Sequence, residues 1–197
     1  MTSAIRLLVL LAYLTVSPLS HAQRAELPVP ESFKIAEKWE WRQIDNRTKV
    51  EEARLTRTVV SVDGVLLFSN GTTTAQISPA MTDGANKPSS KPWRVWPLEV
   101  GKKWSVNTDW IRPDGVTGTL KQDAEVVAFE EIVVPAGTFM AFKIEHKGWY
   151  QSSQGFRGKQ NDTFWYSPEA KSDAKQLRDD GYNLYTRELV SYRREAP

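Results

Sequence analysis

The stretch VVPAGTFMAFKIE, residues 133–145, places two apolar runs on either side of Pro135 and Gly137. Pro135 has no amide donor and stops the strand that precedes it. Gly137 supplies a turn conformation that other residues resist. Beyond it, Met140, Phe142, Ile144 and His146 share one parity, and Lys143, Glu145 and Lys147 share the other. A period of two is the signature of a strand with one face against a core. The stretch therefore reads as a hairpin that pins strand register rather than as an active-site loop, with its even-numbered residues facing inward.

The same pattern extends in both directions. Upstream, TGTLKQDAEVVAFEEIVV (117–134) is strand-like, and Trp104, Val106, Thr108 and Trp110 alternate before a turn at Pro113-Asp114-Gly115. Nearer the N-terminus, KIAEKWEWRQID sets Ile35, Trp39 and Trp41 on one parity. ARLTRTVVSV then leads to Asp63-Gly64, a two-residue hairpin signal, and VLLFS leads to a second turn at Asn70-Gly71 before TTTAQI. Residues 78–92, rich in Pro, Gly, Ser and Asn, read as a surface loop.

Downstream, the hairpin strand runs through Gly148-Trp149-Tyr150, and QSSQGFRGKQ (151–160) reads as a polar loop. NDTFWYS is a short aromatic strand stopped by Pro168. EAKSDAKQLRDDG has a helix-compatible composition but no apolar stripe, so it reads as a turn and a hairpin arm. LYTRELVSYR is the last strand. No convincing helix and no βα alternation appear after residue 22. The expected fold is all-β: a single-domain curled antiparallel sheet, half-barrel or barrel-like meander over 33–197.

Composition narrows the function classes. Of 197 residues, 40% are hydrophobic and 25% charged, which is ordinary globular composition. The net charge of +2 is spread among interspersed acids and bases, without the basic stripe of a nucleic-acid binder. At the N-terminus, Arg6 precedes an apolar run from Leu7 to Val16, then Pro18 and the small-x-small triplet Ser20-His21-Ala22. That run is too short to span a bilayer comfortably and matches a secretory signal peptide over 1–22, cleaved after Ala22. Residues 23–32 follow as a Pro-rich extended leader. The expected product is periplasmic or secreted and keeps no transmembrane segment after processing. There is no cysteine, so neither a thioether-linked lipid nor a disulfide is available.

Chemistry-bearing motifs are sparse. His146 is the single histidine after the signal segment, and it shares the inward parity of Phe142 and Ile144. It reads as a core residue. No HExxH, GxSxG, calcium-loop or phosphate-cradle pattern occurs. Glu130 and Glu131 are adjacent in a strand and so point to opposite faces. No catalytic residue, metal ligand or cofactor is expected, although a carboxylate pair drawn from different strands stays open as a glycosidase-like alternative.

The aromatics are the stronger lead. Eight tryptophans occur, mostly in near pairs. Most suit a β core. Trp149-Tyr150 and Trp165-Tyr166, however, each place one aromatic on either face of their strand. Trp149, Tyr150 and Phe156, beside Arg157 and Lys159, form the candidate ligand-binding patch.

Taken in order, PLEVGKKW (97–104), EIVVPAGTFMAFKIE (131–145) and TFWYSPEAK (163–171) resemble an exported bacterial β-protein family of unknown function, domain-of-unknown-function 3108. The resemblance covers about Phe33 to Tyr192. It implies an open, curled antiparallel sheet akin to envelope lipid- or lipoprotein-handling folds, and it carries over no catalytic residue. KSDAKQLRDDGYN looks longer than the usual link after the WYSPE strand, which leaves the register of the last hairpin open. The expected function is non-catalytic binding of an apolar or amphipathic ligand, or of another envelope component, with lipid, glycan or envelope protein as candidate partners. Alternatives are an assembly partner lending a sheet edge or surface, and a carboxylate-dependent hydrolase of envelope glycans.

Overall fold

The computed structural model describes residues 23–77 and 93–194. The signal peptide expected over 1–22 and the loop expected at 78–92 lie outside the described residues. Twelve strands are present: β1 (Arg24–Ala25), β2 (Lys38–Asp45), β3 (Glu51–Val62), β4 (Val65–Ser69), β5 (Thr74–Gln76), β6 (Leu98–Glu99), β7 (Lys103–Ile111), β8 (Thr117–Val134), β9 (Gly137–Ser152), β10 (Arg157–Ser167), β11 (Ser172–Asp179) and β12 (Leu184–Arg193). Among the described residues the one helical element is a 3-10 turn at Pro30–Ser32. Ten strands form one antiparallel sheet in the order β5-β4-β3-β2-β12-β11-β10-β9-β8-β7, curled but not closed into a barrel. The leader is partly a strand, because Arg24–Ala25 pairs with Leu98–Glu99 to form a two-residue strap.

Turn chemistry sets the register. Asp63 and Gly64 both take positive φ, 51° and 79°, the conformation of a two-residue hairpin turn, and they join β3 to β4. Gly137 (φ 132°) closes the β8–β9 hairpin immediately after Val134–Ala136. The last hairpin pairs Lys175 with Glu188 through Asp179 with Leu184. Its turn is held by the Asp180 carboxylate, which accepts from the amides of Tyr182 and Asn183 at 3.0 and 2.7 Å.

Inward side chains meet in rows across the sheet. Trp41 lies opposite Leu189 in one, and in the next Gln43 lies opposite Arg187, then Gln176, Phe164, Ile144 and Val126 in turn. The rows feed two cores. The first gathers Phe33, Trp39, Val59, Phe68, Ala170 and Leu189, and the second gathers Leu98, Val126, Phe142, Ile144, Phe164 and Tyr166. Trp93 and Trp96, in the segment entering β6, cover the second core with rings on His146 at 4.6 Å and on Tyr166 at 5.0 Å.

Three local expectations are corrected. Ile35 does not join Trp39 and Trp41 inside: it is 61% exposed, because Ala36 takes a φ of 68° and the strand begins only at Lys38. Met140 does not face inward either, being 43% exposed while Phe139 and Ala141 are buried. The inward parity changes at Ala141–Phe142, across from the bulge between Val126 and Ala128 on β8. Beyond that bulge the hairpin tip turns its other side to the first core. There Val134 and Phe139 pack, and the Ala136 amide donates to the Leu189 carbonyl at 3.0 Å. Finally, 151–160 is mostly strand, since Arg157 pairs with Gln151 and Gly158 with Tyr150, leaving only residues 153–156 as the turn. The Tyr150 ring occupies the space that a side chain at position 158 would fill, so glycine permits this close pairing.

Candidate functional site: the trough of the curled sheet

Strand alternation divides the expected patch. Trp149, Arg157 and Lys159 are on the outer face, where the Lys159 ammonium lies 5.6 Å from the Trp149 ring and Trp149 is 51% exposed. Phe156, 57% exposed, stands in the β9–β10 turn. Tyr150 shares the parity of His146 and lies on the inner face, opposite Leu120 and Gly158. The structure thus brings Trp149 and Lys159 together on the outer face, and Trp149, Tyr150 and Arg157 border one hollow at the end of the hairpin. The outer face also carries Trp165, whose ring is flanked by Lys143 and Lys175 at 5.7 and 5.2 Å and whose indole N–H donates to Glu130 at 2.8 Å. These cation–ring contacts are partly solvated, and each contributes about 0.5–1 kcal/mol at such sites.

The inner face is different in kind. Between its two cores lie two adjoining clefts of about 290 and 530 Å³, spanning the lower range of small-ligand sites. Trp41, Leu55 and Phe68 line the first. Trp93, Trp110, Leu120 and Phe164 line the second. Arg57, Asp173, Gln176 and Arg187 line both.

Each of these groups is placed by its strand. Arg57 lies opposite Trp39 on β3, and its guanidinium carbon sits 5.3 Å from the Trp41 ring and 4.8 Å from the Phe68 ring. Part of its side chain reaches the cleft surface, but burial pushes the guanidinium below the usual arginine range, with Asp173 opposing that shift. Arg187 lies opposite Gln176 and Gln43, and donates to the Gln43 carbonyl oxygen at 2.9 Å. Its Nε is buried with no acceptor among the described residues. Asp173, the one carboxylate lining either cleft, accepts from buried Arg94 at 2.9 Å.

Deeper polar groups complete the trough floor. Asp162 is buried and accepts from Arg178, Gln122 and Gln160 at 2.7, 3.0 and 2.8 Å. His146 is fully buried between Trp93, Trp104 and Phe164. Neither ring nitrogen has a partner among the described residues. Desolvation, assisted by the charge of Arg94, pushes its pKa down to about 3. The imidazole is therefore neutral at physiological pH, and no carboxylate or hydroxyl stands ready to relay a proton through it. Among the described residues the clefts present one carboxylate, Asp173, which is held by Arg94. Among the described residues no cluster of three His, Cys, Asp or Glu side chains could hold a metal ion.

Sequence reading missed Arg57 and Arg187. A signal was present in part: each is an arginine on the inward parity of a strand whose neighbours on that face are apolar. Their convergence with Trp93 and Trp110 requires the curl of the whole sheet.

The architecture has counterparts among solved structures. A candidate lipoprotein from Parabacteroides distasonis superposes with a TM-score of 0.54 at 13% identity, over 87% of this chain and 100% of its own. A candidate exported protein with a YmcC-like fold from Bacteroides fragilis gives 0.48 at 10% identity, over 86% and 100%. The hypothetical lipoprotein YmcC from Escherichia coli gives 0.40 at 11% identity, over 83% and 86%. The first likeness establishes a shared fold. No family model and no curated protein matches the chain, so the resemblance to domain-of-unknown-function 3108 rests on its three motifs. No helix of the described residues is long and apolar enough to cross a membrane.

Proposed function

We propose that this chain is an exported, non-catalytic envelope protein, periplasmic or secreted, that binds an apolar or amphipathic ligand in the trough of its curled sheet. The observation that carries the reading is the pair of adjoining clefts walled by Trp41, Phe68, Trp93, Trp110 and Phe164, with Arg57 and Arg187 reaching into both. Apolar walls with a few convergent polar groups are the usual build of a small-ligand site. The N-terminal pattern of Arg6, an apolar run and Ser20-His21-Ala22 supports export. The Parabacteroides neighbour carries a lipoprotein name. This chain has no cysteine, so it works without a thioether-linked lipid.

Native mass spectrometry of the protein isolated from the envelope fraction tests the reading. A co-purifying acyl compound, lost when Phe68 and Trp110 are changed to polar residues, is the expected result. A clean apo mass, with no tryptophan fluorescence response to added acyl amphiphiles, ends it.

A second reading, an assembly partner, is favoured by one feature. The sheet is open, and β7 is its terminal strand over nine residues. Lys103 and Asp109 on that strand are the kind of charges that discourage indiscriminate edge pairing. Cross-links in the envelope mapping to Lys103 would support this role over ligand carriage.

A further inference from the structure

We infer that the trough selects an anionic amphiphile, with Arg57 and Arg187 as its headgroup site and the aromatic clefts on either side as its acyl site. The inference rests on the ligand-binding reading above and names the chemistry of the ligand.

The argument begins with charge. The larger cleft is lined by four cations, Arg57, Lys171, Arg178 and Arg187, and by one carboxylate, Asp173. Three of the five charged groups already have partners. Lys171 is bound to Glu37 at 2.7 Å, Arg178 to Asp162 at 2.7 Å and Asp173 to Arg94 at 2.9 Å. Arg57 and Arg187 have no carboxylate within ion-pair distance among the described residues, and Asp173, already bound to Arg94, acts on Arg57 only from farther off. Arg57 has only ring faces, Trp41 and Phe68, against its guanidinium, while Arg187 spends one Nη on Gln43 and leaves its Nε buried and unpaired.

A desolvated cation without an acceptor is costly, and a fold rarely keeps one unless something supplies the missing charge. Guanidinium is a planar fork that matches carboxylate and phosphate oxygens. Both arginines line both clefts, so an anion held there would have apolar surface on either side: Leu55 and Phe68 in one cleft, Trp93, Trp110 and Phe164 in the other. An acidic head with an acyl chain satisfies both halves of the site. A neutral lipid would leave the arginines unpaired, and a small free anion would leave the aromatic walls unused.

The test titrates the full protein with three probes below their micellar range: myristoyl lysophosphatidylglycerol, myristoyl lysophosphatidylcholine and inorganic phosphate. Tryptophan fluorescence and calorimetry are the readouts. The expected result is that the anionic lysolipid binds at least about 10-fold more tightly than the zwitterionic one. Inorganic phosphate alone binds more weakly than either. Arg57→Gln combined with Arg187→Gln removes the preference, weakening the anionic lysolipid by at least about 10-fold and the zwitterionic one by less, because the choline ammonium already offsets its phosphate. Circular dichroism and thermal unfolding of the double variant confirm that it is folded; should it fail to fold, Arg57→Lys, which keeps the charge and loses the fork, takes its place and is expected to reduce the preference. Equal affinity for both lysolipids, or a preference that survives the variants, overturns the headgroup site while leaving ligand binding in the trough standing. Tighter binding of inorganic phosphate than of either lysolipid overturns the amphiphile. No binding of any probe overturns both readings together.

Discussion

Two charges on the inner face, Glu37 fully buried and Arg57 half-buried, have opposite surroundings. Glu37 is fully buried, yet its carboxylate accepts from Lys171 Nζ at 2.7 Å, Tyr192 OH at 2.7 Å and the Lys34 amide at 3.1 Å. Around it Phe33, Trp39, Phe68 and Tyr192 pack edge-on or stacked, with centroids 5.3 to 6.0 Å apart. Burial and the bond to Glu37 together push the Tyr192 phenol up, so it stays a donor. Arg57, two residues before Val59 of that same core, has rings but no acceptor among the described residues. A buried charge with all its partners can hold the fold together, whereas removing or lacking a partner leaves its desolvation uncompensated.

The contrast can be broken or sharpened by mutation. Trp39 is buried, stacks on Tyr192 at 5.6 Å and donates its indole N–H to the Ala170 carbonyl at 2.7 Å. Trp39→Ala is expected to cost about 4 kcal/mol in urea unfolding, as large aromatic truncations in cores do. A loss under about 1.5 kcal/mol would show that the packed end is not the centre of stability.

Glu37→Gln should come next, at about 3 kcal/mol, because it leaves Lys171 beside a group that no longer balances its charge. If this variant proved neutral, the Glu37 site would be no more essential than the Arg57 site, and the comparison would fail.

A third measurement uses pH. The folded protein holds His146 neutral down to about pH 3, whereas the unfolded chain binds a proton near the ordinary histidine value of about 6.5. The unfolded state therefore carries the extra proton between those limits. The contribution of neutral His146 is present in full above the unfolded value and is lost as pH falls toward the folded one. Its slope approaches about 1.4 kcal/mol per pH unit. His146→Phe should flatten the unfolding midpoint over that window, and an unchanged pH profile would refute the burial of a neutral imidazole.

The smallest effect is expected at the open site. Arg57→Met should change stability by less than about 1 kcal/mol and in the stabilising direction, since it replaces a partly desolvated cation without an ion pair by an apolar chain. A loss of 2 kcal/mol or more would mean that Arg57 serves the fold as Glu37 does.

Much of the fold was legible in the sequence. Asp63-Gly64, Asn70-Gly71 and Pro135-Ala-Gly137 announced hairpins, and each one is present. Trp104, Val106, Thr108 and Trp110 were read onto one face, and all four lie inward opposite Ala124, Gln122, Leu120 and Gly118. His146 was read as a core residue, and it is buried. The site was less legible. Trp149 and Tyr150 were rightly read onto opposite faces of their strand, and both still border one surface hollow with Arg157. The trough arginines sit 130 residues apart in the chain, so no local motif joins them.

By itself, the sequence determined the strand period, the turn positions, the all-β class and the absence of disulfides. Those properties are local: alternation and turn conformation depend on neighbours a few residues away. Tertiary structure alone decided where the inward parity switches at Ala141–Phe142, which aromatics wall a cleft and which charges stay unpaired. The bulges between Val126 and Ala128 and between Trp165 and Tyr166, together with the curl of ten strands, set those outcomes. They arise because strands remote in sequence must twist and pack against one another, and no stretch of a dozen residues encodes that geometry.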